Sequence, residues 1–326
     1  MEQPNILITG GSGFIGTNLM AHFINYGQHV LNIDIATPKN EQHLPYWKQV
    51  DLLDFDSLKS AIESFNPDYI IHLAARTDLD GKTLQDYDAN ITGVKNLIQI
   101  VQSLRNIKKI IFTSSMLVCR VNYCPKNAFD YAPTTLYGES KVLTEKTIWE
   151  NTIPCPWIII RPTSLWGPWF GIPYRNFFDM VLSKRYVHIG NKSCTKTYGF
   201  IDNSIHQITT LLNELSDEMT GRIFYIGDYD PTNIEAWGNE IALELGYKIK
   251  KIPFFAVFVA ARIGDVLKKF NIAFPLTTFR LNNMTTNNIV DLSDTKQVVP
   301  ILPCSRKEGV QKTLAWLKTN KLDLSS

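Results

Sequence analysis

Residues 5–16 read NILITGGSGFIG: a strand-like run of five with an apolar centre, four glycines within the next seven positions, and the opening of a helical pattern. Few folds accept such a junction. A strand must stop there, the backbone must turn without side chains in the way, and a helix must start at once. Glycines at 11, 13 and 16 satisfy G-x-G-x-x-G, and those at 10, 13 and 16 satisfy G-x-x-G-x-x-G. Bare backbone lets a pyrophosphate approach a helix N-terminus, where unbonded N–H groups and the helix dipole favour an anion. The motif alone is weak, and its context carries the weight. A second strand-like run, HVLNI, follows at 29–33 and ends in Asp34. A carboxylate there accepts hydrogen bonds from an adenosine ribose and repels a 2′-phosphate, so NAD is favoured over NADP. Gly10, Gly13, Phe14, Ile15, Gly16 and Asp34 are the expected cofactor contacts.

The first half of the chain continues the alternation. Helical spacing at 13–26, 58–65, 84–104 and 136–151 separates strand-like runs at 69–73 (YIIHL), 109–113 (KIIFT) and 157–160 (WIII). Unbroken apolar strands between helices argue for a parallel sheet covered on both faces. The expected class is α/β, a Rossmann-type doubly wound parallel sheet with a smaller, discontinuous α/β substrate-binding domain. Residues 1–165 read as the NAD-binding domain, with strands around 197–227 returning to it. Residues 166–196 and 228–326 read mainly as the substrate domain. Short strands are expected at 186–189 and 223–226, and a helix at 234–245.

Composition narrows the function. The 326 residues are 44% hydrophobic with a formal charge of +2, and their basic pairs are scattered, so no nucleic-acid partner is indicated. The five cysteines form no CxxC pair, which argues against a disulfide framework or a metal site and for a reducing compartment, the cytoplasm. The N-terminus shows no secretory pattern. The longest apolar run, 252–263 (IPFFAVFVAARI), is too short to span a membrane. It reads as an amphipathic or core helix, with a membrane-surface contact as the other possibility.

YGESK at 137–141 places Tyr137 and Lys141 four apart, on one face of a helix. An ammonium beside a phenol is expected to lower its pKa toward working pH. Ser114 and Ser115 close the strand KIIFT, at the strand end where doubly wound sheets bind ligands.

These residues together resemble the extended short-chain dehydrogenase/reductase family, in its NAD-dependent sugar-nucleotide epimerase/dehydratase branch. The resemblance rests on TGGSGFIG at 9–16, Asp34, Asp51-Leu52, HLAA at 72–75, Asn90, GVKNL at 93–97, Ser114-Ser115, YGESK, Arg161-Pro162, Gly167-Pro168 and Phe200-Ile201-Asp202. It implies that Asp51 and Leu52 meet the adenine, and that Leu73, Ala74 and Ala75 line the pyrophosphate and ribose. Lys141 would hold the nicotinamide ribose. Tyr137 would be the general base or acid on a sugar hydroxyl, with Ser115 rather than Ser114 as its hydroxyl partner. Asn90 would orient the catalytic helix or a water, or serve as a helix polar residue. The substrate side would use Ser164, Trp166, His188, Lys196 and Arg280. Of these, His188 reads more simply as a surface or hinge histidine, and Trp166 as a floor for the sugar or a filler of the domain junction.

Dehydratases and decarboxylases of this branch place acids just after the serine or threonine, where this chain has Met116 and Leu117. Neither side chain can move a proton. The expected activity is therefore NAD-dependent 4-epimerisation of a nucleotide-diphosphate hexose, UDP-linked, through a 4-keto intermediate. A 4-reductase or dehydrogenase of a nucleotide- or lipid-linked keto-sugar has the same site and stays open, as does a non-catalytic dinucleotide-binding protein. The apolar stretch 252–279 suits a lipid-linked or otherwise apolar substrate part. A homodimer is expected through the helices at 84–104 and 136–151, because Leu97, Ile98, Ile100, Val101 and Leu104 exceed one buried stripe.

Overall fold

The computed structural model describes residues 3–172, 174–190, 193–270, 272, 274 and 276–320. Alternating strands and helices open the chain: β1 (Asn5–Thr9), α1 (Phe14–Asn25), β2 (His29–Asp34), β3 (Trp47–Gln49), α2 (Phe55–Phe65), β4 (Tyr69–His72), α3 (Asp88–Ser103), β5 (Lys109–Thr113), α4 (Leu136–Trp149) and β6 (Trp157–Pro162). Then come β7 (Ser164–Trp166), α5 (Arg175–Leu182), β8 (His188–Ile189), β9 (Thr195–Lys196), β10 (Tyr198–Phe200), α6 (Ile201–Glu214) and β11 (Ile223–Ile226). The chain continues through β12 (Thr232–Asn233), α7 (Ile234–Glu244), β13 (Lys251–Ile252), α8 (Phe254–Lys269), α9 (Thr278–Thr285), α10 (Ser293–Val298) and α11 (Arg306–Thr319).

Seven strands form one parallel sheet in the order β11-β6-β5-β4-β1-β2-β3. The order reverses between β1 and β4, which opens a crevice at their carboxyl ends. Alternate side chains feed two cores. Ile6, Ile8, Ile71, Ile111, Ile158 and Ile160 face one layer, with residues of α1 and α6. Leu7, Ile70, Ile110, Phe112, Trp157 and Ile159 face the other, with residues of α2 and α3. The doubly wound sheet expected from the alternation is therefore present, and β11 joins its edge beside β6.

Three local differences have physical causes. The helical pattern at 84–104 is split, because Thr83 and Asp86 form a capping box around a 3₁₀ turn, Leu84–Tyr87, before α3 begins. The strand-like run at 186–189 is strand only at His188–Ile189, because the Tyr186 N–H bonds back to Met180 O at the end of α5. Leu97, Ile98, Ile100 and Val101 are all fully covered within the chain. They leave no spare apolar stripe on α3, so the reason offered for pairing there falls away.

α4 is bolted to the sheet by charge. Arg161 of β6 donates from Nε to Glu145 Oε1 (2.8 Å) and from Nη2 to Glu145 Oε2 (2.7 Å), with both residues buried. Nη1 donates to Tyr225 Oη, Nη2 also to Ala128 O, and Tyr131 Oη donates to Glu145 Oε2. A buried pair this well satisfied is costly to break from one side. Glu145→Ala is expected to cost about 3–5 kcal/mol in denaturant unfolding, because it strands the Arg161 cation.

Candidate active site

The glycine turn is built by close approach. Gly10 has φ +77°, and a Cβ there would lie 2.6 Å from Ala74 N, at the end of β4. Leu73 N donates to Thr9 O, so the ends of β1 and β4 are sealed together where Leu73, Ala74 and Ala75 begin. Gly13 differs: its Cβ would meet only Gly10 O, at 3.3 Å. It caps α1 with no side-chain hydrogen bond, and no acid stands in the first turn, which holds Phe14, Ile15 and Gly16. A bare, uncapped helix start beside a crevice suits a diphosphate. Asp34 ends β2 next to it; its Oδ2 accepts from Ser12 N (3.0 Å) and its Oδ1 from Ala36 N (2.9 Å). These bonds aim the carboxylate and leave lone pairs for a ribose.

Asp51 is exposed, with Oδ1 accepting from Leu53 N. The Leu52 side chain is buried against Gly93 of α3, so at this pair only Asp51 presents a free side chain. Asn90 is buried and spans two elements. Its Oδ1 accepts from Arg76 N, and its Nδ2 donates to Arg76 O and to Ser140 Oγ of α4. It thereby ties α4 to the loop that follows β4.

Tyr137 and Lys141 lie on the buried side of α4. Gly138 allows this: a Cβ there would come within 2.3 Å of Leu117 O. The helix thus sits hard against the 3₁₀ turn Met116–Val118, which Ser115 caps by accepting from Leu117 N. That contact brings the Ser115 hydroxyl into a hydrogen bond with the Tyr137 phenol. The neighbouring Ser114 Oγ and Thr113 Oγ1 are buried and have no partner among the described residues. Two orphaned hydroxyl groups at the end of β5 call for a polar ligand.

The electrostatics differ from the sequence expectation. Burial holds the Tyr137 phenol above its usual pKa; the Ser115 bond works the other way, and the nearby Tyr174 and Tyr87 phenols add to the rise. Lys141 is not paired to the phenol. Its Nζ donates to Thr113 O (2.9 Å), and burial pushes its pKa down to about 8, against the pull of Glu145. His72, buried at the end of β4, shares a 2.7 Å hydrogen bond with Thr9 Oγ1, and burial and then Lys141 depress its pKa to about 3. It stands neutral beside the lysine.

The substrate-side residues separate. Ser164 hydrogen-bonds Tyr174 and pairs in register with Tyr198. Lys196 is half-buried in β9, and burial lowers its pKa. Trp166 is 1% exposed, with Phe178, Phe200 and Trp237 within 5.6 Å by ring centroid, so it fills the junction and does not floor a pocket. His188 is also corrected: it is buried, and its Nε2 pairs with Asn239 Oδ1 at 2.8 Å. The Arg280 side chain lies outside the described residues. Cys119 is buried, and burial pushes its thiol pKa up, which suits packing and not reaction. Sequence reasoning missed Tyr87, whose ring centroid lies 6.2 Å from that of Tyr137, and Tyr174 and Tyr198. No spacing or motif distinguishes those tyrosines from core aromatics.

A profile of the NAD dependent epimerase/dehydratase family matches residues 6–227. The chain belongs to that family. Curated relatives include an N-acetyl-alpha-D-glucosaminyl-diphospho-ditrans,octacis-undecaprenol 4-epimerase of Escherichia coli O157:H7, 24% identical over 324 residues, covering 96% of this chain and 95% of that one. A 3-beta-hydroxysteroid dehydrogenase of Mycolicibacterium neoaurum is 26% identical over 272 residues, 77% and 73% of the two chains. The fold is also that of a UDP-glucose 4-epimerase of Thermotoga maritima, with TM-score 0.72 at 19% identity over 97% and 99% of the chains. A UDP-glucuronic acid 4-epimerase of Bacillus cereus gives TM-score 0.73 at 20% identity over 97% and 99%. The family's members are NAD-dependent enzymes, and the Gly13 opening and the orphaned hydroxyl groups fit that cofactor here.

Lys141 gives a pH test. Its folded pKa lies below the unfolded value of 10.5, so between pH 8 and 10.5 the unfolded chain holds a proton the folded chain has shed. Stability contributed by this site must rise with pH across that window. Urea unfolding at the two limits should shift in favour of wild type over Lys141→Met by roughly 3 kcal/mol.

Proposed function

We propose that the protein interconverts the C4 epimers of a nucleotide-diphosphate hexose, UDP-linked, with NAD as a resident cofactor. The observation carrying this reading is the Tyr137–Ser115 pair at the end of β5, followed by Met116 and Leu117 where a dehydrating or decarboxylating site needs acids. Such a site can move one hydroxyl proton and no second one.

Phe14, Ile15 and Gly16 offer backbone N–H groups to the diphosphate of the cofactor, Asp34 takes a ribose, and Lys141 keeps donors for the other ribose after serving Thr113 O. NAD supplies the means to take up a hydride from the sugar carbon and give it back. Tyr137 accepts the C4 hydroxyl proton as the ketone forms, directly or through Ser115. It returns that proton when the alcohol re-forms on the other face. A phenol held above its usual pKa by burial needs local positive charge to ionise, and Lys141 is the buried cation of the same helix face. Lys196 is offered to the substrate diphosphate, and Ser164 with Tyr174 to the sugar.

A second reading keeps this chemistry and changes the carrier. It is favoured by the Escherichia coli relative, which spans nearly the whole chain and acts on a sugar diphosphate carried by undecaprenol.

The test is a panel of UDP-, dTDP- and GDP-hexoses and one polyprenyl-diphosphate hexose, with C4 configuration read by NMR. Turnover to an epimeric mixture without added cofactor, with NAD extractable from the purified protein, is expected. Stoichiometric consumption of NADH would replace the epimerase by the keto-sugar reductase. Tyr137→Phe should lower turnover roughly 10²–10⁴-fold while NAD still co-purifies.

A further inference from the structure

α8 is held to the body by a small cluster. Val257 and Ala261 are buried against Ile189 and Leu281, and at Gly264 a Cβ would lie 1.9 Å from Leu276 O. The other side of the helix is apolar and uncovered. Phe255, Val259, Ile263 and Val266 recur at helical spacing along one stripe, with Phe258 beside it and Phe270 just past its end. Phe255 is 76% exposed and Phe270 72%. A stripe of this kind on an isolated surface calls for an occupant.

Charge selects the occupant. The carboxylate of Asp265, the acid of α8, is turned onto α9, where it accepts from Thr278 N and Oγ1. Arg262 is exposed at the middle of the helix, and Lys248 and Lys250 are exposed just before it. The sequence ends the helix with Lys268-Lys269. A second copy docking about a two-fold axis would bring the two Arg262 residues together at the centre. An anionic surface meets none of that repulsion.

We propose that α8 is a membrane-surface helix, lying in the headgroup boundary of an anionic phospholipid bilayer with Phe255, Val259, Ile263, Val266 and Phe270 inserted. The same hairpin clasps the segment that carries Lys196. β13 pairs with β8, Cys194 Sγ donates to Met284 O, and Asn288 exchanges backbone bonds with Thr195 and Thr197. A docked α8 therefore places the substrate-side strands close to the lipid surface, where a lipid-borne sugar diphosphate would be met. The docking stands on exposure and charge, and its readout needs no turnover.

The full-length protein is floated with phosphatidylcholine vesicles, with and without about one-third phosphatidylglycerol, alongside Phe255→Ser/Ile263→Ser and Arg262→Glu. Wild type should rise with the anionic vesicles and be released by high salt. The double variant should partition at least roughly tenfold more weakly, with unchanged thermal melting and NAD content. Arg262→Glu should lose the preference for anionic lipid. Wild type that floats with neither vesicle overturns the proposal, as do variants that float equally. A wild-type dimer in light scattering that the double variant dissolves would assign the face to a second copy and also overturn it. Flotation supports the docking whatever the sugar panel returns.

Discussion

The Glu145–Arg161 pair fixes more than one helix. Tyr137, Lys141 and Glu145 stand at intervals of four, so they form one buried row along α4. Anchoring the last of them to β6 sets the rotation of the other two about the helix axis. The remaining restraints act on the same helix: Ser140 through Asn90, Thr144 Oγ1 through Asn90 O, and the bare flank of Gly138 against Leu117 O. The phenol reaches Ser115 because the helix cannot roll or lift. Desolvating a guanidinium and a carboxylate is expensive, and here every face of the pair finds a partner.

That polar row also explains what the sequence revealed. The strands were legible because buried parallel strands are unbroken apolar runs: 5–9, 109–113 and 223–226 coincide with β1, β5 and β11. α4 was legible as a helix at 136–151, but which side it buries was legible only through its motif, since that side carries Tyr137, Lys141 and Glu145 in place of an apolar stripe. α6 has a helical signal in Ile201, Ile205, Ile208 and Leu212, yet only its first turn stood out, as part of a family motif. β7, β9 and β12 are two or three residues long, too short for any period to register.

The site was legible as a list and not as an electrostatic arrangement. Sequence spacing put Lys141 one turn from Tyr137, and from that followed an acidified phenol. Depth works against that: burial raises the phenol's pKa, and the lysine directs a hydrogen bond to Thr113 O and not to the phenol. Trp166 and His188 meet a related limit. An aromatic or imidazole near a motif carries no sign of which way it points, and both turn into the body of the protein.

α11 reaches back across almost half of the chain. Gly309 fits against Trp166 and Phe200, where any side chain would collide at 2.8 Å, and Trp316 meets Trp169 and Phe170. Trp169 is itself held at φ +72°, a backbone state few tryptophans occupy, and Asn18 of α1 ties the adjoining Pro168 O to the cofactor helix. Until α11 has been made and has docked, this aromatic vault lacks one wall. The indoles of Trp166 and Trp169 stay open to water for that interval, which makes the undocked chain the form most exposed to aggregation.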